Sequence, residues 1–195
     1  MKLYIADAFT DKVFGGNPAG VVILDEGAGF PDAETMRLTA AELRYSETAF
    51  IKRLSDGIFN IRYFTPADEV DLCGHATIAS FHCLREAGLV KSGTAVLNKT
   101  LAGDLNIVVS SDSILMDMAT PEFIDDIKDV SAMKELYEIM GIDYEANIPV
   151  LEAQCVANGG DGSGLKPEMI STGLPDIMMP VASREQLAAI TPDFP

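Results

Sequence analysis

The sequence predicts an α+β protein organised around one buried helix. Three observations point there. Residues 76–87 form a helix that is apolar almost all round, through Ala76, Ile78, Ala79, Phe81, Cys83, Leu84 and Ala87, with Gly88 closing it. A helix without a polar face must be surrounded by protein. Short runs of alternating or β-branched residues, separated by Gly- and Asp-containing turns, flank it on both sides and read as strands. Beyond residue 131, further helices and short strands form a second, smaller set.

Composition limits what such a fold can do. The chain has 195 residues, 48% of them hydrophobic, ample for a core. Its net charge of −16 is spread along the sequence and leaves no basic patch to neutralise phosphates, which argues against nucleic acid as a partner. No apolar run reaches membrane-spanning length, and Asp7 arrives too soon for a signal core. Cys73, Cys83 and Cys155 are odd in number and lack metal-type pairing, so a reduced, cytoplasmic setting is expected.

In chain order, residues 2–9 make an opening strand and residues 21–24 a second. Between them, Phe14-Gly15-Gly16-Asn17-Pro18-Ala19-Gly20 is a tightly shaped loop. Its glycine spacing fits neither the dinucleotide fingerprint nor the Walker loop. It reads either as a hairpin-like turn or as a pocket edge lined by the Asn17 amide. Pro31-Asp32-Ala33-Glu34 opens an amphipathic helix running to about Leu43. Residues 44–51 then form a strand carrying Glu47, an unusual residue there. If Tyr45, Glu47, Ala49 and Ile51 face inward, Glu47 is a core-facing carboxylate suited to proton transfer. If Ser46, Thr48 and Phe50 do, Glu47 is solvated. The pattern leaves both open.

Residues 57–64 make a hairpin partner for that strand. Asp68, Glu69 and Asp71 follow without the ligand spacing of a calcium loop, so they are expected to be solvated and no metal is assigned. Asp71-Leu72-Cys73-Gly74-His75-Ala76-Thr77 then meets the start of the buried helix. A helix start presents unpaired N–H groups and a positive dipole end, and Gly74 lets a ligand come close. His75 reads as a structural hydrogen-bonder or as a substrate contact, and His82 has no assigned role. Strands are expected at residues 94–97, 105–109 and 113–118. In the second set, a helix over residues 131–140 is capped by Ser131 and ended by Gly141. Strands follow at 149–156, 168–172 and 176–181, with a flexible glycine-rich loop at 158–164 and a short helix at 183–190.

Four of these stretches carry a resemblance. Phe14-Gly15-Gly16-Asn17-Pro18-Ala19-Gly20-Val21, Ser46-Glu47-Thr48-Ala49-Phe50, Arg62-Tyr63-Phe64-Thr65-Pro66 and Asp71-Leu72-Cys73-Gly74-His75-Ala76-Thr77 resemble, in order and spacing, the phenazine biosynthesis PhzF-like family. The resemblance implies a diaminopimelate epimerase-like fold. In it a curved, mostly antiparallel sheet wraps a central helix in each of two similar domains, with the active site in the cleft between them. The first domain would be residues 1–122 with its helix at 75–87, and residues 123–195 would be a partial second domain. Full-length members continue further and carry a second glycine-rich motif and an acidic Asp-Pro segment on the facing domain. The chain is therefore expected to be truncated, with a homodimer or a partner supplying the remainder.

The resemblance also implies a cofactor-independent isomerase acting on a small carboxylate substrate. Glu47 would move the proton, Gly74 and His75 would bind substrate, and Asn17 and Ser46 would line the pocket. Related epimerases and racemases place a reactive cysteine just before the helix-start glycine, the place Cys73 occupies. A helix N-terminus lowers a thiol's pKa, which makes Cys73 an alternative base. A non-catalytic binding fragment is the third possibility.

Overall fold

The computed structural model describes residues 1–12, 14–162 and 165–193. The chain divides into two compact units, Met1–Met118 and Ala119–Pro195.

The first unit begins with β1 (Lys2–Ala8) and β2 (Asn17–Ile23), an antiparallel hairpin in which Ala8 faces Asn17. In its connection Gly16 has φ +66°, and a Cβ there would collide with the Ala8 carbonyl oxygen. Gly16→Ala should therefore destabilise this unit by about 2 kcal/mol or more, read as a lower denaturant midpoint. An unchanged midpoint would mean that the loop adjusts freely.

Helix α1 (Ala33–Leu43) starts at Asp32, whose side chain accepts from the Thr35 N–H at 2.9 Å. It ends at Arg44 in the left-handed region, φ 61°. Residues 44–47 are therefore a turn, and β3 spans Thr48–Ser55. This corrects the expected strand at 44–51: Glu47 precedes the strand instead of lying within it. The turn Asp56-Gly57, with Gly57 at φ 71°, leads into β4 (Ile58–Phe64) as an Asp-Gly hairpin requires. The two-residue β5 (Glu69–Val70) pairs with β4. There Glu69 is not solvated as expected: both its carboxylate oxygens accept from Arg62 at 2.6 Å. Helix α2 (Gly74–Glu86) follows, then β6 (Thr94–Thr100), β7 (Gly103–Val109) and β8 (Ile114–Met116).

The sheet order is β1-β2-β3-β4-β6-β7-β8. Its pairs are antiparallel except β2/β3 and β4/β6. A parallel pair needs a crossover, and α1 and α2 are those crossovers. They lie on opposite faces. Helix α1 packs on β3 and β4, burying Met36 and Ala40 with Val22, Phe50 and Phe64. Helix α2 touches β1 and β2 near one end of the order and β7 and β8 at the other, so the sheet curls around it. Phe81 of α2 is fully buried, edge-on to Phe59 with ring centroids 5.7 Å apart. This is the curled, mostly antiparallel sheet on a central helix that the resemblance implies.

The second unit pairs β9 (Glu122–Asp126), β10 (Glu168–Ser171) and β11 (Pro175–Met178) antiparallel in the order β11-β10-β9. Its helices are α3 (Val130–Ile139), α4 (Tyr144–Ala157) and α5 (Arg184–Ala188). Asp129, not Ser131, caps α3, accepting from the Ala132 N–H at 2.9 Å. The expected strand at 149–156 is instead part of α4. Asp143 caps that helix, and Pro149 lies inside it. Tyr137 and Asn147 are fully buried, and Tyr137 donates to the Pro180 carbonyl at 2.6 Å. In the glycine-rich run at 158–164, Ser163 and Gly164 lie outside the described residues, as do Phe194 and Pro195. Among the described residues no helix is long and apolar enough to cross a membrane.

Candidate active site

The site forms where α2 begins. Cys73 is its N-cap in an extended conformation, φ −142° and ψ 116°, and makes no side-chain capping hydrogen bond. No serine or aspartate side chain caps the first turn; the Cys73 sulfur lies against the Ala76 and His75 N–H groups instead. At Gly74 the surface is open: a Cβ there would meet only Met116 Cε, at 3.8 Å. A buried network fixes the helix start from behind. Thr77 Oγ1 donates to the Cys73 carbonyl at 2.7 Å and lies 2.6 Å from the Tyr63 hydroxyl, which accepts from Asn98 Nδ2 at 3.1 Å. Burial pushes the Tyr63 phenol up to about 12, so it stays protonated.

His75, only 9% exposed, sits between two reactive groups. Its Nδ1 is 3.2 Å from Cys73 Sγ. Its Nε2 is 3.4 Å from Glu47 Oε2 and 3.5 Å from Ser46 Oγ. Glu47 reaches it from the turn before β3, with a fifth of its side chain (21%) exposed. That turn is tied to β2 by the Gly20 N–H, which donates to the Glu47 carbonyl at 3.2 Å. The structure thus brings Ser46, Glu47, Cys73 and His75 together at Gly74, from two stretches far apart in sequence. Asn17 makes none of these contacts. It is the exposed first residue of β2, three positions before Gly20 and on the same side of the strand as Ala19.

The thiol departs from expectation. Burial, foremost, pushes Cys73 up to about 12, and the Glu47 carboxylate adds to this, while the Ala76 and His75 N–H groups pull the other way. The helix start does favour a thiolate, but desolvation wins. Cys73 should accordingly react with iodoacetamide at pH 8 more slowly than a free thiol. Glu47→Gln, which removes the adjacent charge, should accelerate the reaction, as followed by mass spectrometry. Equal rates in the two proteins would remove the electrostatic part of this account.

Sequence reasoning missed Tyr63, Thr77 and Asn98, which hold the helix start. The one signal was polar residues at fully buried positions, and burial is not visible in a sequence. His82 lies elsewhere. It is exposed and lines a cavity of about 580 Å³ with Tyr4, Asp7, Arg85 and Asp112, its Nδ1 3.0 Å from Arg85 Nη2.

A sheet curled around one helix is a fold with counterparts among solved structures. A Pseudomonas aeruginosa protein described as a predicted epimerase superposes with a TM-score of 0.74 at 21% identity, over 98% of this chain and 63% of that one. A family model described as phenazine biosynthesis-like protein matches residues 6–195. The chain belongs to that family. A Bacillus anthracis phenazine biosynthesis protein of the PhzF family superposes with a TM-score of 0.73 at 29% identity, over 99% of this chain and 60% of that one. A Bacillus subtilis protein, named as an uncharacterized isomerase, is 31% identical over 191 residues, 96% of this chain. The chain spans 58% of that relative's length.

Proposed function

We propose that the chain carries the proton-transfer site of a cofactor-independent isomerase acting on a small carboxylate-bearing substrate. The observation that carries this reading is the Glu47 carboxylate held 3.4 Å from His75 at an open helix start. The substrate carboxylate would rest on the N–H groups of Gly74 and His75 at the positive end of α2. Glu47 would take a proton from a C–H made acidic by that carboxylate or by adjacent unsaturation. The resulting carboxylic acid returns the proton to a different carbon, so the product is an isomer and no atom is gained or lost. Helix-start N–H groups offset the negative charge that develops between the two transfers. His75 would keep the Glu47 carboxylate aimed, and Ser46 and Asn17 would border the substrate. The isomerase and epimerase descriptions of the relatives agree with this chemistry.

Two other readings are separable. Proton abstraction by Cys73 would need a thiolate, which burial and the Glu47 charge oppose. Because the chain spans 58% of the Bacillus subtilis relative, a carboxylate-binding unit without turnover is the other reading. Incubation in D2O with a panel of small unsaturated and amino carboxylates, followed by NMR, distinguishes turnover from binding alone, and the same exchange in Glu47→Gln separates Glu47 from Cys73. Carbon-bound deuterium supports the isomerase. Binding shifts at Gly74 and His75 without deuterium uptake support the binding unit. With neither, both readings fall.

A further inference from the structure

Glu47, Cys73 and His75 are three different types of metal ligand, and each offers a donor atom within 4.8 Å of the other two. We propose that this cluster binds a thiophilic divalent cation of the zinc class. The ligands are Cys73 Sγ, one His75 ring nitrogen and a Glu47 carboxylate oxygen, with a fourth position open at the Gly74 side. The sequence assigned no metal here because no pair of ligands has metal-type spacing; Glu47 joins the other two only through the fold.

Donor separations support the assignment. Ligands sharing a tetrahedral zinc ion lie about 3.4–3.6 Å apart, from the usual metal–ligand lengths. The Cys73 Sγ–His75 Nδ1 separation, 3.2 Å, is near that spacing. The Glu47 oxygen is 3.4 Å from the other ring nitrogen, so Glu47 or Cys73 must turn for all three to meet a metal on one nitrogen. The 4.8 Å limit on the donor set makes that a movement of about 1 Å. Glu47, one-fifth exposed and at the end of a turn, has room to make it. The donor types select the metal: sulfur and imidazole suit zinc and cobalt, whereas magnesium and calcium require oxygen. The positive end of α2 opposes a cation; metal binding displaces the Cys73 thiol proton to solvent, and the thiolate so formed, with the Glu47 carboxylate, then brings two full negative charges against that half charge. Three protein ligands with an open fourth position is an arrangement zinc adopts where a water or another small ligand completes the tetrahedron.

The metal site stands on donor geometry alone. Its consequence rests on the proton-transfer reading: a Glu47 oxygen bound to metal cannot accept a proton from carbon, so the cation acts as a reversible blocker of the isomerase.

Cobalt(II) chloride added to the reduced, chelator-treated chain provides the test. One equivalent should produce near-ultraviolet thiolate-to-cobalt absorption and visible bands of tetrahedral intensity, both lost on adding zinc. Cys155→Ser should keep these bands, Cys73→Ser should lose the near-ultraviolet band, and Glu47→Gln should weaken cobalt binding at least tenfold. Absence of the band at excess cobalt, or its survival in Cys73→Ser, overturns the proposal. Should Cys73→Ser not fold, zinc protection of Cys73 from alkylation in the unsubstituted chain, mapped by mass spectrometry, decides instead; no protection overturns it. Cobalt binding that leaves deuterium exchange intact would remove Glu47 from proton transfer and leave the metal site standing.

Discussion

Glu47→Gln is expected to lower deuterium exchange into substrate by about a thousandfold, in the middle of the range for losing a general acid–base group. Glutamine keeps the size and one carbonyl oxygen of the side chain, so it can still approach His75. It cannot accept a proton at neutral pH. Stability should change little because the side chain lies at the edge of the core, with 21% exposure. Substrate binding should also persist, since on the proposed reading backbone N–H groups of α2, not Glu47, hold the carboxylate. The signature is lost turnover with retained affinity, read by NMR exchange and titration on the same samples. Full exchange in the variant would sink the assignment of Glu47 and return Cys73 to consideration.

Phe81→Ala should be the most destabilising single truncation in α2, costing the first unit about 3–5 kcal/mol. Phe81 is fully buried on the helix around which the sheet curls, and its ring meets the Phe59 edge at 5.7 Å. Neither helix nor sheet can close on the space independently, because each is held by the other. The effect is measured as the shift in urea midpoint at constant slope. A loss below about 1 kcal/mol would mean that the wrapped helix repacks, against the close packing that its buried residues imply.

The buried helix was legible because apolarity on all sides has one physical meaning, and the observed α2 coincides closely with the expected stretch. The position of Glu47 was not. The alternation argument needed one wet face and one dry face, but Thr48, Ala49, Phe50 and Ile51 are all buried. Strand β3 lies between α1 and α2, so period-two reasoning had nothing to separate. Arg44, in the left-handed cap of α1, then displaced the strand start past Glu47. In the second unit, the stretch around Pro149 favoured a strand by local propensity. The Asp143 cap and packing of α4 against α3 overrode it. For Cys73, the sequence showed the helix end that lowers a thiol pKa but not the burial that raises it further. The site residues were chosen from the resemblance and motif chemistry; their mutual distances required the fold.

The two crossovers also set an order in time. The hairpins β1–β2, β3–β4 and β6–β7 join neighbours in sequence and can form early, since short loops close quickly. The parallel pairs β2/β3 and β4/β6 cannot form until the chain has travelled through α1 and α2. The Ser46–His75 contact bridges 29 residues and exists only once α2 has docked. The site residues thus depend on long-range closure, whereas the hairpins depend only on neighbours in sequence, so any loosening of α2 separates Glu47 from His75 while local strand pairs can persist.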